Sequence, residues 1–168
     1  MKVFLLAIAF FVAITTYGQQ GSINDLDLKY GFKEIKLGES VKNIDKFTFI
    51  GKSESGTEYY SAKVKSMFIG SVPIKSIDIS SVLDLVGYIY VKFNSKNFET
   101  VKEVLEYAYG DAKKLSSDNS FMWDGKKVTM MLSAEPGKDG SIFIYSKDAK
   151  QFESIDKDIK LNKAKGDL

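Results

Sequence analysis

The sequence predicts an α+β domain: a mostly antiparallel sheet with one long helix packed on a face, one short N-terminal helix and a weak C-terminal helix. Three observations lead to this prediction. Residues 98–109 place apolar side chains at helical spacing, residues 83–93 alternate as a strand does, and turn signals separate the remaining apolar runs. Consecutive strands are joined by turns too short for crossovers, so antiparallel pairing is expected.

The long helix is predicted from a stripe of apolar residues at steps of three and four: Phe98, Val101, Val104, Leu105 and Ala108. Asn97 is a suitable N-terminal cap, and Gly110 suits the left-handed backbone that ends a helix. We expect this stripe to pack on one face of the sheet.

The two minor helices are predicted from weaker patterns. Ser40 is positioned to cap a short helix from Val41 to about Asp45. Near the C-terminus, Phe152, Ile155 and Ile159 have helical spacing within a polar segment, which favours a weakly packed helix.

The first eighteen residues match a cleavable export signal. Lys2 precedes an unbroken apolar run from Val3 to Ile14, and small residues lead to an expected cut after Gly18. The run is shorter than the roughly 20 residues of a membrane-spanning helix, so no membrane insertion is expected after cleavage. The predicted organisation is a signal peptide (1–18), a linker (19–30), a single α+β domain (31–147) and a polar C-terminal helix or tail (148–168). The expected location is the periplasm or the medium.

The composition excludes several kinds of chemistry. The chain has no histidine and no cysteine, which excludes Ser–His and Cys–His catalysis, ordinary zinc sites and disulfides. All 24 cationic side chains are lysine, and the net charge is only +2. The absence of arginine and the near-neutral balance argue against a nucleic-acid partner. We expect no cofactor, no metal site and no catalytic residue.

The acidic pairs Asp25-x-Asp27 and Asp156-x-Asp158 have a spacing that calcium sites also use. Neither pair continues into a loop with the glycine and the later glutamate that such a site requires. We therefore interpret them as solvated surface charge.

Aromatic residues are the best candidates for a binding surface. If Ile89, Val91 and Phe93 face the long helix, Tyr88 and Tyr90 project from the opposite side of the sheet. Cross-strand pairing would add further rings to them: Tyr59 or Tyr60, Trp123, and one of Phe143 or Tyr145. Such a face suits a protein partner or a sugar, because these rings bury large areas and keep a polar tip. The alternative is that the same rings pack under the C-terminal segment or a second layer.

Two segments pair a helix signal with the antiparallel strands. Ile35-x-Leu37-Gly38-x-Ser40-Val41 leads into the short helix, and Thr100-Val101-x3-Leu105-x3-Tyr109-Gly110 ends the long one. This layout, over about residues 31–146, resembles the helix-plus-sheet unit of β-lactamase-inhibitor-like proteins and of small outer-membrane assembly lipoproteins. The resemblance implies a fold and an exported location. It implies neither anchoring nor inhibition, because the lipidation cysteine is missing and no inhibitory loop is identifiable.

These observations favour a non-catalytic exported module that binds an envelope protein or a glycan. The sites that we expect are Tyr59, Tyr60, Tyr88, Tyr90 and Trp123. The alternative is an enzyme that acts on glycans or other envelope polymers with a pair of carboxylates about 5–10 Å apart. The sequence leaves the oligomeric state open.

Overall fold

A computed structural model describes residues 20–149, apart from 45, 55, 63–65, 117–118 and 136. Two helices and eleven strands lie in this part of the chain: α1 (Ile23–Lys29), β1 (Gly31–Phe32), β2 (Ile35–Lys36), β3 (Thr48–Lys52), β4 (Glu58–Ala62), β5 (Phe68–Ile69), β6 (Val72–Val82), β7 (Leu85–Phe93), α2 (Phe98–Tyr109), β8 (Lys113–Lys114), β9 (Ser120–Asp124), β10 (Val128–Ala134) and β11 (Gly140–Ser146). None of the helices in these ranges has the length and apolar content that a bilayer crossing requires.

One large sheet dominates the structure and confirms the α+β class. Its strands follow the order β3-β4-β6-β7-β11-β10-β9-β8, and β5 pairs with β6 beside this path. Every strand pair within the described ranges is antiparallel. The longest strand pair, β6 with β7, lies near the middle of the sheet, where each strand is hydrogen-bonded to a neighbour on both sides. This central position fits the high β-branched and aromatic content of residues 72–93.

The core face of the sheet can be followed strand by strand through the register, because directly opposed residues in paired strands point to the same side. One row of such residues runs through β9, β10, β11, β7, β6 and β4: Trp123, Met130, Ile144, Ile89, Ile79 and Tyr60. All of these residues except the half-buried Tyr60 are fully buried. They form the floor of the hydrophobic core.

Helix α2 packs on this core face through the predicted stripe. Phe98, Val101 and Leu105 are buried in the same cluster as the core row, and Val104 packs against it. The helix ends where the sequence predicts, because Gly110 has a positive φ of 81° and its N–H bonds to the carbonyl of Glu106.

The segment expected to be a linker holds a helix instead. Residues 23–29 form α1, and Leu26 is fully buried in the core cluster. Gly21 joins α1 to α2, because its N–H bonds to the carbonyl of Tyr107 and an added Cβ would collide with the carbonyl of Ala108. The sequence did not predict this helix because residues 19–30 are mostly polar. A single buried leucine does not produce a helical period of apolar residues.

The short helix predicted after Ser40 is a single 3-10 turn, Val41–Asn43, with the Ser40 hydroxyl accepting from the N–H of Lys42. Three residues are too few for an α-helical turn. The predicted signal peptide (1–18) lies outside the described residues, as does the predicted C-terminal helix or tail (148–168) beyond residue 149.

Replacing Asp25 with alanine is expected to lower the free energy of unfolding by about 1 kcal/mol. The Asp25 carboxylate accepts from the backbone N–H of Ser22 at 2.6 Å and from the Ser22 hydroxyl at 3.0 Å, so its loss leaves the N–H of the N-cap residue of α1 without this partner. Urea unfolding measures the change. Asn24→Ala on the same exposed turn is the matched control, and an equal effect of both variants would contradict the capping role.

Candidate functional site

The second face of the sheet, opposite the core, carries several of the aromatic residues. Two rows cross it. One runs from β4 to β10 as Tyr59, Ser80, Tyr88, Tyr145 and Thr129. The other runs from β4 to β9 as Ser61, Asp78, Tyr90, Phe143, Met131 and Met122. As the sequence predicts, Tyr88 and Tyr90 lie on one face of β7, and Ile89, Val91 and Phe93 lie on the other face.

Four rings at the junction of β7 and β11 form what we call the aromatic cluster: Tyr88, Tyr90, Phe143 and Tyr145. Tyr88 stacks on Phe143 with ring centroids 5.7 Å apart and planes 6° from parallel. Tyr90 meets Phe143 edge to face at 6.4 Å, and Tyr145 lies 5.4 Å from Phe143. Phe143 therefore contacts the other three rings, and these contacts hold them in place.

The solvent-accessible part of this face is its β7 and β4 side. Tyr90 is 36% exposed and Tyr59 is 42% exposed, whereas Tyr88 and Phe143 are half-buried. One intervening strand separates β4 from β7, so the two exposed tyrosines lie about 10 Å apart across the sheet and, being two residues out of line, about 7 Å apart along the strands. That separation suits a surface which contacts one ligand at two points.

Trp123 does not belong to this surface. It is 1% exposed on the core face, opposite Met130, and its indole N–H donates to the carbonyl of Gly110 at 2.8 Å. Every residue of Phe121-Met122-Trp123 is apolar, so the sequence alone does not show which of them point inward. The register with β10 decides it.

Tyr60 also lies on the core face, one residue away from the exposed Tyr59. Its ring packs edge to face on Phe49 at 5.6 Å, and its hydroxyl donates to Glu58 at 2.7 Å. The hydrogen bond to the Glu58 carboxylate, together with burial, raises the pKa of Tyr60 to about 12. Tyr60 is thus a fixed, neutral part of the sheet margin, and only Tyr59, Tyr88 and Tyr90 of the five expected residues share the second face.

A polar cleft opens beside Tyr90. Its volume is about 310 Å³, and it lies where β7, β10 and β11 meet the loop between the last two strands. We call it the Tyr90 cleft, and its lining residues are Tyr90, Lys92, Ser133, Ala134, Glu135, Lys138, Asp139 and Ser141. The hydroxyls of Ser133 and Ser141, which are cross-strand partners, lie 2.9 Å apart in it.

Each charged group of the Tyr90 cleft has a partner of opposite sign. Lys92 bonds to Asp78 at 3.1 Å, and its ammonium lies 5.4 Å from the Tyr90 ring centroid. Lys138 pairs with Glu135, and Asp139 pairs with Lys75. The cleft is therefore polar without a net charge.

The aspartates of the Asp25-x-Asp27 pair serve the fold rather than a metal. Asp25 caps α1, and Asp27 accepts three backbone N–H bonds from Lys126, Lys127 and Val128 at 2.7–2.9 Å. Across the described ranges, no group of three or more acidic residues comes close enough to hold a metal ion.

A second cavity, of about 240 Å³, lies between the β1–β2 hairpin and strands β4 and β6. Its floor is apolar, with Ile35, Ala62 and Ile77, and its rim carries Lys33, Glu34 and Lys46. None of the five expected aromatic residues lines it. The Tyr90 cleft is the better candidate site, since it adjoins the aromatic cluster.

The prediction from sequence missed the hydroxyl and lysine side chains of the Tyr90 cleft. Ser141 had a detectable signal, because Ser141, Phe143 and Tyr145 alternate with the apolar Ile142 and Ile144. Lys92 had the same signal, because it alternates with the apolar Val91 and Phe93. Only the pairing of β10 with β11 and of β11 with β7 brings Lys92, Ser141 and Ser133 together in the cleft.

Comparison with known proteins adds no relative: no family model, no curated protein and no solved structure matches this chain. A functional proposal for this chain therefore rests on the antiparallel α+β fold and on the geometry of its second face.

Proposed function

We propose that this protein is a non-catalytic exported module that binds an envelope protein or a glycan through the second face of its sheet. The observation that carries the proposal is the exposure of Tyr90 and Tyr59 on one face of the sheet, where contact with Phe143 holds the Tyr90 ring. Rigid tyrosines bind at low entropic cost, because their two side-chain torsions are already fixed.

The composition supports a binding role. A chain without histidine or cysteine lacks the side chains that most often act as general base or as metal ligand. Aromatic residues, by contrast, are enriched where proteins recognise partners. The expected export signal supports a partner in the envelope or outside the cell.

The double variant Tyr59→Ser/Tyr90→Ser is expected to bind an envelope fraction at least about tenfold more weakly than wild type, because each tyrosine is an anchor of the kind that costs over 1 kcal/mol to remove. Co-sedimentation of the purified protein with washed envelope preparations measures the bound fraction at several protein concentrations.

Tyr107→Ser is the matched control, since Tyr107 is 61% exposed on α2, away from the second face. It should bind as wild type does. Thermal unfolding of all three proteins confirms that they are folded. Wild-type binding by a folded double variant would remove the second face as the recognition surface.

The carboxylate enzyme is the second candidate, and the Tyr90 cleft is where it would act. A glycosidase acid is a carboxyl group that its surroundings keep protonated, usually by burial. The side chains of Glu135 and Asp139 are instead 68% and 42% exposed, and each is paired with a lysine. The geometry thus favours binding over catalysis.

A further inference from the structure

The size of the Tyr90 cleft points to a small ligand unit. Binding sites for small molecules span roughly 300–1,000 Å³, so a cleft of about 310 Å³ has room for a unit of one or two rings. A folded partner would instead use a flatter surface of about 800 Å².

The cleft offers unused hydrogen-bonding capacity. A serine hydroxyl has one donor and two acceptor lone pairs, and the Ser133 and Ser141 hydroxyls spend only one donor and one acceptor on each other. Ser133 is the more accessible of the two, because Ser141 is only 7% exposed. The remaining capacity suits a ligand that itself brings both donors and acceptors. A row of sugar hydroxyls has this property, whereas an aliphatic chain does not.

The charges of the cleft argue for a neutral ligand. Lys92 and Lys138 are paired with Asp78 and Glu135, and Asp139 is paired with Lys75. An anion would be repelled by the paired carboxylates, and a cation by the paired lysines, so neither gains much binding energy. Neutral hydroxyls can bond to the outer edges of the pairs without breaking them.

The wall of the cleft supplies an apolar contact. The Tyr90 ring is partly exposed and held edge to face by Phe143. A pyranose has a C–H face and a rim of hydroxyl groups. Its C–H face can cover an aromatic ring while its hydroxyl groups bond to nearby polar side chains.

We propose that the Tyr90 cleft binds a neutral sugar unit of a glycan, which covers the Tyr90 ring and bonds to the Ser133–Ser141 hydroxyl pair. This inference rests on the proposed function, because it names the ligand class of the same surface.

Titration of the isotope-labelled protein with neutral oligosaccharides tests the proposal, with the backbone amide signals as the readout. The probes are trisaccharides of glucose, mannose, galactose and N-acetylglucosamine at millimolar concentration, and an anionic uronic-acid trisaccharide. At least one neutral probe is expected to shift the amides of Tyr90, Ser133 and Ser141 in a saturable way, and the anionic probe is expected to bind at least about tenfold more weakly.

Tyr90→Ala is expected to weaken that binding at least about tenfold, Ser133→Ala by about three- to tenfold, and the control Tyr107→Ala not at all. Tyr90→Phe, which keeps the ring, should retain most of it. If no neutral probe shifts these amides while the wild-type protein still binds envelope fractions through Tyr59 and Tyr90, the sugar proposal is overturned and the proposed function survives. If envelope binding is also absent, both fail.

Discussion

Replacing Trp123 with alanine is expected to lower the free energy of unfolding by about 4 kcal/mol, which is a large part of the stability of a single domain. Trp123 is fully buried, and its cross-strand partner is the core residue Met130, which in turn pairs with Ile144. The truncation leaves a cavity in the core that the surrounding side chains close only in part. It also leaves the Gly110 carbonyl, at the end of α2, without the indole N–H. Urea unfolding followed by circular dichroism measures the loss.

Trp123→Phe separates the two contributions. It keeps an aromatic ring in the core and removes the indole N–H, so we expect a smaller loss of about 1–2 kcal/mol. Tyr107→Ala is the surface control, because Tyr107 is 61% exposed on α2, and it should change stability by less than about 1 kcal/mol. A Trp123→Ala protein with wild-type stability and weakened ligand binding would contradict the core role of Trp123 and indicate that it belongs to the binding surface.

Replacing Asp27 with alanine is expected to cost about 2 kcal/mol at neutral pH. The Asp27 carboxylate joins α1 to the hairpin between β9 and β10 by accepting three backbone N–H groups, which the variant leaves without this partner. Gly125 fits the contact, since an added Cβ there would collide with Asp27. Asp84→Asn is the control, because its ion pair with Lys42 is exposed to solvent and is expected to contribute little to stability.

The contribution of Asp27 depends on pH in a defined direction. Burial raises the pKa of Asp27, but the three backbone N–H bonds and the nearby Lys147 outweigh burial, so the folded-state pKa lies below the ordinary value of 3.8. The contribution is therefore fully present above pH 3.8 and is lost as the pH falls through the lower folded-state pKa. The stability difference between wild type and Asp27→Ala should shrink over this acidic window. A difference that stays constant from neutral pH down to pH values well below 3.8 would contradict the assignment.

Local patterns were enough to predict the elements that depend on near neighbours. The apolar stripe from Phe98 to Leu105 gave α2 its position and its buried face, because helical contacts join residues three and four apart. The alternation from Tyr88 to Phe93 gave β7 its two faces for the same kind of reason. The sequence alone also shows that the chain has no histidine, cysteine or arginine, and therefore none of the chemistry that requires these side chains.

Contacts between residues far apart in the chain decided the rest. Asp27 meets its hairpin about one hundred residues later in the chain, and no local pattern signals such a bond. The same holds for the Tyr90 cleft, which exists only because β11 inserts between β7 and β10.

The five aromatic residues show most clearly which features the sequence determines and which the tertiary structure decides. Sequence alone determined that Tyr88 and Tyr90 share a face, since they are two positions apart in one strand. Only the tertiary structure decided that Tyr59 joins them while Tyr60 and Trp123 turn to the core. The reason is that a shift of one residue in strand register moves every side chain of that strand to the other face, and register is set by partner strands.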